Sequence, residues 1–304
     1  MSHLPESVRE SIEEAAADRG LGSRIESVEP IGGGCINHGA RIHFDSDVDL
    51  FVKWNPHAPG GMFDAEAAGL DALRHVAAET ESALVVPQPI TCGRTPAGAW
   101  LLLEYVVPGP STPATSDRLG QGLALLHSAP STADGFGHVE DNWIGSLPQS
   151  NRAHDSWAHF WAEERIGPQL ELARTAGACS DAIFDHLLTA VPDAVEDVPG
   201  PALLHGDLWS GNVFPSADGR PVLIDPAVYR GDGEVDLAMT ELFGGFDRRF
   251  YDAYAEVRPI SDAYESHRRA LYQLYYLLVH VNLFGGGYEA SARAAATRVV
   301  SAVS

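Results

Sequence analysis

The feature that most constrains this chain of 304 residues is the short segment 203–226, which holds acidic and amide side chains at fixed spacings around a predicted turn. Asp207 and Asn212 are five residues apart within Leu-Leu-His-Gly-Asp-Leu-Trp-Ser-Gly-Asn. Two short apolar strands follow, joined by Asp218-Gly219, which is a strong hairpin signal. Because a hairpin brings its open ends together, we expect Asn212 and Asp225 to lie side by side.

These three side chains suit phosphoryl transfer. The Asp207–Asn212 spacing is that of the kinase catalytic loop. The amide oxygen of Asn212 and the carboxylate of Asp225 are hard oxygen ligands of the kind that magnesium prefers, and Asp207 can accept the proton of an attacking hydroxyl. The alternative is that such residues only cap turns, as Asp and Asn often do. We expect His205 to bond the loop backbone rather than to take part in the chemistry.

Lys53 is the only lysine of the chain, and it ends a predicted apolar strand. Kinases place a cation on the third strand to hold the α- and β-phosphates, and a lysine ammonium is compact enough for that task. Glu66 falls in a predicted helix, 63–78, on the same stripe as the apolar Leu70 and Leu73. Because a buried carboxylate needs a partner, we predict a Lys53–Glu66 ion pair.

A glycine-rich turn precedes the second predicted strand and contains Gly32, Gly33, Gly34 and Cys35. Successive backbone N–H groups without intervening side chains can close over phosphates. The turn is neither a Walker A sequence nor a GxGxxG sequence, so its position upstream of Lys53 carries the prediction. Cys35 is a candidate redox-sensitive thiol, and the alternative is an inert small residue.

The order of predicted elements indicates an α+β, two-lobed, protein-kinase-like fold. Strands are predicted within 25–54 and at 100–106, and a Pro/Ser/Thr-rich stretch follows. We predict a small β-rich nucleotide-binding lobe over 1–103, a hinge at 104–110, and a larger, mainly helical catalytic and substrate-binding lobe over 111–304. Helices of the second lobe are predicted at about 117–128, 155–176, 180–190, 233–245, 247–257, 261–282 and 289–303.

Charge and composition narrow the class of partner. Acidic residues number 42 and basic residues 20, which gives a net charge of −22 and argues against nucleic acid as a partner. No apolar run approaches the roughly 20 residues of a membrane span, and the first residues do not resemble a signal peptide, so we expect a cytoplasmic protein that is not bound to membranes. Three scattered cysteines and 13 scattered histidines favour neither disulfides nor zinc. An acidic surface with one lysine suggests a halophilic, salt-adapted protein.

Several motifs together resemble the fructosamine kinase (ketosamine-3-kinase) family, which is related to the aminoglycoside phosphotransferases and choline kinases. They are Gly-Gly-Gly-Cys-Ile at 32–36, His-Gly-Asp-Leu-Trp-Ser-Gly-Asn at 205–212, Asp-Pro-Ala at 225–227, and Leu-Phe-Gly-Gly at 242–245 and 283–286. His-Gly-Asp-x4-Asn is shared across the superfamily. The Trp-Ser-Gly filling and the two Leu-Phe-Gly-Gly blocks favour the ketoamine branch.

The resemblance implies ATP- and Mg²⁺-dependent phosphorylation of the sugar 3-hydroxyl of fructosamine- or ribulosamine-type adducts. The product of that reaction is unstable and releases the amine, so the net effect is deglycation. The partner would be a small ketoamine or a glycated amine or protein. The implied roles are Asp207 as base, Asn212 and Asp225 as metal ligands, Lys53 and Glu66 as the phosphate-binding pair, and the backbone of Glu104, Tyr105 and Val106 as the adenine contact.

Three further residues are candidates for the acceptor side. A carboxylate of Glu234 or Asp236 could hold the protonated amine of a ketoamine, and Trp209 could cover the sugar or the cation. The alternatives are that Asp236 braces the catalytic loop and that Trp209 packs in the core. The family usually has Gly-His-Arg-Glu where this chain has Gly-Asp-Gly-Glu at 231–234, so the preferred sugar stays open.

Two other functions remain open from the sequence. One is a small-molecule kinase that acts on an aminoglycoside, choline or a related alcohol, and the other is a non-catalytic nucleotide-binding protein of the same fold. A protein kinase is disfavoured because the chain lacks His-Arg-Asp and Asp-Phe-Gly. The sequence does not distinguish a monomer from a homodimer.

Overall fold

A computed structural model describes residues 4–32, 36–131, 135–195 and 198–303 of the protein. Its N-terminal part is an antiparallel five-stranded sheet in the order β1-β2-β3-β5-β4. The strands are β1 (Ile25–Ile31), β2 (His38–Phe44), β3 (Asp49–Asn55), β4 (Pro89–Thr95) and β5 (Gly98–Glu104). Two helices accompany them, α1 (Glu6–Ala17) and α2 (Met62–Glu79).

Neighbouring residues of a strand point to opposite faces of the sheet. Both faces of this sheet are covered by other parts of the chain. Leu102 packs in a cluster with Val8 and Ile12 of α1, whereas Leu101 and Leu103 pack in the main core. Lys53 pairs across the sheet with Leu101 and therefore faces the main core and α2. The central position of β3 thus fixes the direction of the lysine side chain.

The remainder of the chain is mainly helical. Its helices are α3 (Pro113–Ser128), α4 (Trp157–Phe160), α5 (Gly167–Thr175), α6 (Ala182–Ala194), α7 (Glu234–Leu242), α8 (Arg248–Val257), α9 (Arg269–Phe284) and α10 (Glu289–Val303). Three small antiparallel pairs join β6 (Asn142–Ile144) to β7 (Leu147–Gln149), β8 (Ala202–Leu204) to β11 (Tyr229–Gly231), and β9 (Val213–Pro215) to β10 (Pro221–Leu223). These observations confirm the predicted α+β class.

Two long predicted helices, 155–176 and 261–282, are interrupted. A π-helical turn over Trp161–Ile166 separates α4 from α5, and another over Tyr264–Arg268 precedes α9. The first turn carries the fully buried guanidinium of Arg165 inwards, where it lies 3.9 Å from the ring centre of Tyr229. The π-helical turn therefore allows Arg165 to pack in the interior. The apolar periodicity of the sequence does not reveal this interruption.

The segment after β5 is attached to the β9–β10 hairpin. Ala217 N–H donates to the Val107 carbonyl at 2.8 Å, and Gly109 N–H donates to the Pro215 carbonyl at 2.8 Å. The predicted hinge is thus held against the hairpin that follows the catalytic loop. Within the described ranges, no helix has both the length and the apolar character that crossing a bilayer requires.

Candidate active site

A cavity of about 440 Å³ lies where the sheet, α2, the predicted hinge, the β6–β7 hairpin and the loop after β8 meet. Residues far apart in the sequence share its wall. The predicted site residues that line it are Gly32, Lys53, Glu66, Glu104, Tyr105, Val106, Asp207, Trp209, Asn212 and Asp225.

The loop after β8 is fixed by its backbone. Gly206 has a φ of 81°, and a Cβ added there would lie 2.1 Å from the carbonyl oxygen of Ala227, so only glycine fits. The Asn212 side-chain amide donates to the Asp207 carbonyl at 2.8 Å. The Ile224 N–H donates to the Asn212 carbonyl at 3.0 Å. This last bond places Asp225 beside Asn212, as the hairpin predicted.

Lys53 connects the N-terminal sheet to the segment that follows β10. Its ammonium donates to Glu66 Oε1 at 2.7 Å and to Asp225 Oδ1 at 2.8 Å. Burial of the ammonium opposes its charge, but Asp225 and Glu66 outweigh that effect and raise the pKa of Lys53, which keeps the side chain protonated. The predicted Lys53–Glu66 ion pair is present. Lys53 forms a second ion pair with Asp225, which follows the β9–β10 hairpin.

Asp225 itself has a backbone conformation that side chains rarely adopt, with a φ of 56°. Aspartate is one of the few residues that tolerate this left-handed region. Asp225 lies two residues after the end of the short strand β10, and its carboxylate accepts from Lys53. Strained backbone of this kind is concentrated at functional sites.

Asp207 has an electrostatic environment suited to a base. Burial, followed by the nearby negative charge of Asp225, raises the pKa of Asp207 to about 7. A base with a pKa near neutrality both accepts a proton and remains available at physiological pH.

His205 holds the loop rather than facing the cavity, as predicted. Its Nε2 donates to the Ile224 carbonyl at 2.9 Å, and its Nδ1 accepts the Asp207 N–H at 3.3 Å. Burial lowers the pKa of His205, which favours the neutral ring that this pair of bonds requires. The side chain thereby ties the backbone of Asp207 to the residue before Asp225.

Asp236, a candidate for the acceptor side, does not line the cavity. Its carboxylate is fully buried and accepts the backbone N–H of His205 at 2.7 Å and that of Gly206 at 2.9 Å. It also lies 3.1 Å from His127 Nε2. Every oxygen of Asp236 is thus committed to the underside of the catalytic loop, which supports the alternative that this residue is a brace.

Glu234, the other candidate carboxylate, does not line the cavity either. Its carboxylate accepts the backbone N–H of Ser261 at 2.7 Å and the Ser261 hydroxyl at 3.1 Å, and it is buried away from the cavity wall. Arg268 lies 3.9 Å from it. Trp209, the third predicted acceptor residue, does line the cavity, where its ring covers Gly211.

One wall of the cavity was not predicted: the β6–β7 hairpin contributes Asn142, Trp143 and Gly145. Asn142 is oriented by two bonds, since its amide donates to the Val228 carbonyl at 2.7 Å and its oxygen accepts from Gln149 Nε2 at 2.7 Å. Strands of three residues are too short to predict from alternation.

The structure describes the two residues that flank the centre of the predicted phosphate-binding turn. Gly33, Gly34 and Cys35 lie outside the described residues. Gly32 and Ile36, on either side of them, both line the cavity. The redox role of Cys35 and the contact of this turn with phosphates therefore stay predictions.

Comparison with known proteins identifies relatives of this chain by sequence. The chain matches the fructosamine kinase family over residues 7–302. It is 46% identical over 272 residues to a protein of Synechocystis named probable ketoamine kinase, with 89% of each chain covered. It is 40% identical over 287 residues to the chloroplastic protein-ribulosamine 3-kinase of Arabidopsis thaliana, with 92% of this chain and 85% of that one covered.

Solved structures extend the comparison to the fold. A crystal structure assigned as a fructosamine-3-kinase from Thermobifida fusca has a TM-score of 0.81 and 36% identity, covering 95% of this chain and 99% of that one. The choline kinase LicA of Streptococcus pneumoniae has a TM-score of 0.62 at 16% identity, covering 97% and 99% of the two chains. The second similarity concerns the fold alone and confirms the kinase-like architecture.

These similarities cover nearly the whole chain, including the catalytic segment and both Leu-Phe-Gly-Gly blocks. They confirm the family resemblance that the motifs predicted. The chain belongs to the fructosamine kinase family.

Proposed function

We propose that this protein is an ATP-dependent kinase that phosphorylates the sugar 3-hydroxyl of ketoamines, so that the unstable product releases the amine. Family membership supports the reaction class. The observation that carries the proposal is the meeting of Lys53, Glu66, Asp207, Asn212 and Asp225 in one cavity, since these are the groups that phosphoryl transfer needs.

The nucleotide would occupy the side of the cavity formed by the sheet and the hinge. Apolar side chains line that side, among them Ile31, Phe51, Leu103, Phe214 and Ile224. The backbone of Glu104 to Val106 would meet the edge of adenine. Lys53, anchored by Glu66, would hold the α- and β-phosphates.

Asn212 and Asp225 fit a magnesium site. The side-chain nitrogen of Asn212 is used to donate to Asp207, which leaves the amide oxygen as the ligand atom. The Asp225 carboxylate has one oxygen on Lys53 and a second oxygen to offer. Magnesium, when bound there, would neutralise charge on the phosphates.

Asp207 would orient the sugar 3-hydroxyl and accept its proton. The backbone beneath it is held by His205, Gly206 and Asp236, so its carboxylate keeps a fixed position toward the phosphate side. Trp209, Asn142 and Trp143 would form the acceptor wall. No observation beyond the shared fold favours choline or an aminoglycoside as acceptor.

A panel of acceptors tests the proposal. Ribulosyl-, erythrulosyl- and fructosyl-amines made from one amine are compared with choline and an aminoglycoside in a coupled assay of ATP turnover, and NMR locates the new phosphate. We expect turnover of at least one ketoamine, with phosphate on the 3-oxygen. Turnover of only the other alcohols, or phosphate at another position, would overturn the proposal.

A further inference from the structure

The β6–β7 hairpin carries two buried amide side chains. Asn142 and Gln149 lie opposite each other in the hairpin and are 7% and 2% exposed. The amide oxygen of Asn142 accepts from Gln149 Nε2 at 2.7 Å. We call Asn142 and Gln149 the amide pair. Gln149 does not line the cavity, so the roles proposed above do not explain why a polar side chain is buried there, which is costly unless its hydrogen bonds are made.

Both members of the amide pair donate to the backbone that follows Asp225. Asn142 Nδ2 donates to the Val228 carbonyl at 2.7 Å. Gln149 Nε2 donates to the Ala227 carbonyl at 3.2 Å. Because carbonyl oxygens only accept hydrogen bonds, these contacts fix which end of each amide faces the segment. The amide pair thus holds two successive carbonyls, the first of them two residues after Asp225.

Tyr275 of α9 supports the amide pair from the interior. Its side chain is buried, and its hydroxyl donates to Gln149 Oε1 at 2.6 Å. The donors therefore run in one direction, from Tyr275 through Gln149 and Asn142 to the segment after Asp225. Hydrogen bonds aligned in this way polarise and strengthen one another. A helix of the core thus fixes the position of the hairpin relative to that segment.

The catalytic loop holds the same segment from the other side. The Ala227 N–H donates to the His205 carbonyl at 2.9 Å. The Ala227 carbonyl lies against Gly206, where an added Cβ would be only 2.1 Å from its oxygen. Ala227 is therefore held between the catalytic loop and Gln149, and it has little room to rotate.

Asp225 needs this support because of its backbone conformation. A φ of 56° is strained for a residue with a side chain, and such strain persists only where the surrounding structure fixes it. Before Asp225, the Ile224 N–H donates to the Asn212 carbonyl, and the Ile224 carbonyl accepts from His205. After Asp225, the contacts of Ala227 and the amide pair provide the matching restraint.

The restraint matters most when nucleotide is bound. Lys53 holds the Asp225 carboxylate through a hydrogen bond, but in the proposed reaction Lys53 is engaged by the phosphates. The position of the carboxylate then depends on its own backbone. Magnesium demands near-ideal octahedral geometry from its ligands, so a small displacement of Asp225 should weaken binding of the ion together with the nucleotide.

We propose that Gln149 is a positioning residue for the metal side of the site. Supported by Tyr275, it holds the backbone after Asp225 directly at Ala227 and, through Asn142, at Val228. This inference rests on the proposed function and adds a residue outside the cavity on which magnesium-dependent nucleotide binding depends.

Titration calorimetry with ADP, in excess MgCl2 and separately in EDTA, tests the inference without any acceptor. Gln149→Met removes both donors at nearly the same side-chain length. We expect Kd for ADP in magnesium to rise roughly five- to tenfold, because the Ala227 carbonyl and the Asn142 oxygen lose a buried donor. In EDTA, where Asp225 has no ion to bind, Kd should change less than about twofold.

Gln169→Met is the matched control. Gln169 belongs to α5, is 5% exposed, and accepts from Asn282 Nδ2 at 2.8 Å, but it does not line the cavity. This variant should lower stability and leave both Kd values unchanged. Tyr275→Phe keeps the donors of Gln149 and removes only the hydroxyl behind them, so Kd in magnesium should rise about two- to threefold. It decides the question if Gln149→Met does not fold.

Equal Kd values in magnesium for Gln149→Met and Gln169→Met would overturn the inference and leave the proposed function standing. An unchanged Kd in Tyr275→Phe would do the same. A loss of the same size in magnesium and in EDTA would show that Gln149 supports only the fold. If the unmodified protein binds ADP no more tightly in magnesium than in EDTA, the proposed metal site itself is wrong.

Discussion

Asp207 is the proposed base, and the proposed reaction depends on it most directly. Its carboxylate lies in the cavity wall, and its backbone is fixed on both sides by His205 and Asn212. Removal of the base should therefore affect the chemical step more than nucleotide binding, which uses other residues.

Asp207→Asn tests this separation. Because a positioned general base contributes about 10²- to 10⁴-fold, we expect kcat to fall by that factor while the Kd for ATP changes less than about threefold. Steady-state kinetics and nucleotide titration give the two quantities. Asp218→Asn, at the exposed turn of the neighbouring hairpin, is the control and should keep full activity. Equal losses of kcat in both variants would contradict the assignment.

We propose that Glu66 acts indirectly, by positioning Lys53 through their hydrogen bond. The pair is buried, and Lys53 is also shared with Asp225, so loss of the Glu66 charge leaves the ammonium held from the hairpin side alone. The lysine would then be misplaced relative to the phosphates.

Glu66→Gln should raise KM for ATP about tenfold, which corresponds to about 1.4 kcal/mol and is within the range of one charge-assisted hydrogen bond. KM for the ketoamine should change little. Glu79→Gln, on the exposed end of the same helix, is the matched control. If KM for ATP is the same in the two variants, Glu66 does not position Lys53.

Among the elements, the sequence predicted those with a clear apolar periodicity and those that carry chemically informative residues at a fixed spacing. The strands around Lys53 and the helix of Glu66 were foreseen because alternation and the 3.6-residue stripe were both visible. The first helix was missed although Val8, Ile12 and Ala16 mark its buried face. β4 was not predicted because it has no alternating burial pattern.

The catalytic loop is the element most sensitive to a single methyl group. Gly206→Ala would combine a positive φ with a Cβ lying 2.1 Å from the Ala227 carbonyl oxygen. Gly219 also has a positive φ, 75°, but a Cβ there meets nothing nearer than 3.6 Å. A substitution at Gly219 therefore tests backbone strain alone, whereas one at Gly206 adds a steric clash.

We expect Gly219→Ala to lower the free energy of unfolding by about 1–2 kcal/mol, the cost of the left-handed conformation. Gly206→Ala should lower it by about 3 kcal/mol or more and abolish activity. Denaturant unfolding and turnover measure both. Similar unfolding free energies for the two variants would show that the loop can move away from Ala227.

For the molecule as a whole, two groups of cavity residues differ in whether the sequence could predict them. The position of the proposed phosphoryl-transfer residues could be predicted because their spacing around one hairpin fixes their relation, and Asp207, Asn212 and Asp225 line the same cavity. The β6–β7 wall of the cavity could not be predicted, because Asn142 and Trp143 belong to short strands that only tertiary packing brings beside the loop after β8. Charge alone suggested that Glu234 binds the acceptor, but its buried carboxylate accepts from Ser261.

The net charge of −22 acts on the molecule as a whole. Like charges spread over the surface repel one another more in the compact state than in the unfolded chain, and the ion pairs present on the surface are individually weak. Added salt shortens the Debye length from about 10 Å at 0.1 M to about 3 Å at 1 M and screens this repulsion. The folded state should therefore gain stability from salt.

We expect Tm to rise by several degrees between 0.05 and 1 M KCl, with most of the rise at the lower concentrations, where screening changes fastest. Chloride is chosen because sulfate would also stabilise by exclusion from the surface. An osmotically matched series in sucrose separates screening from exclusion, since sucrose leaves the charges unscreened. A Tm that is independent of KCl, or that rises equally in sucrose, would show that self-repulsion does not limit the stability of this protein.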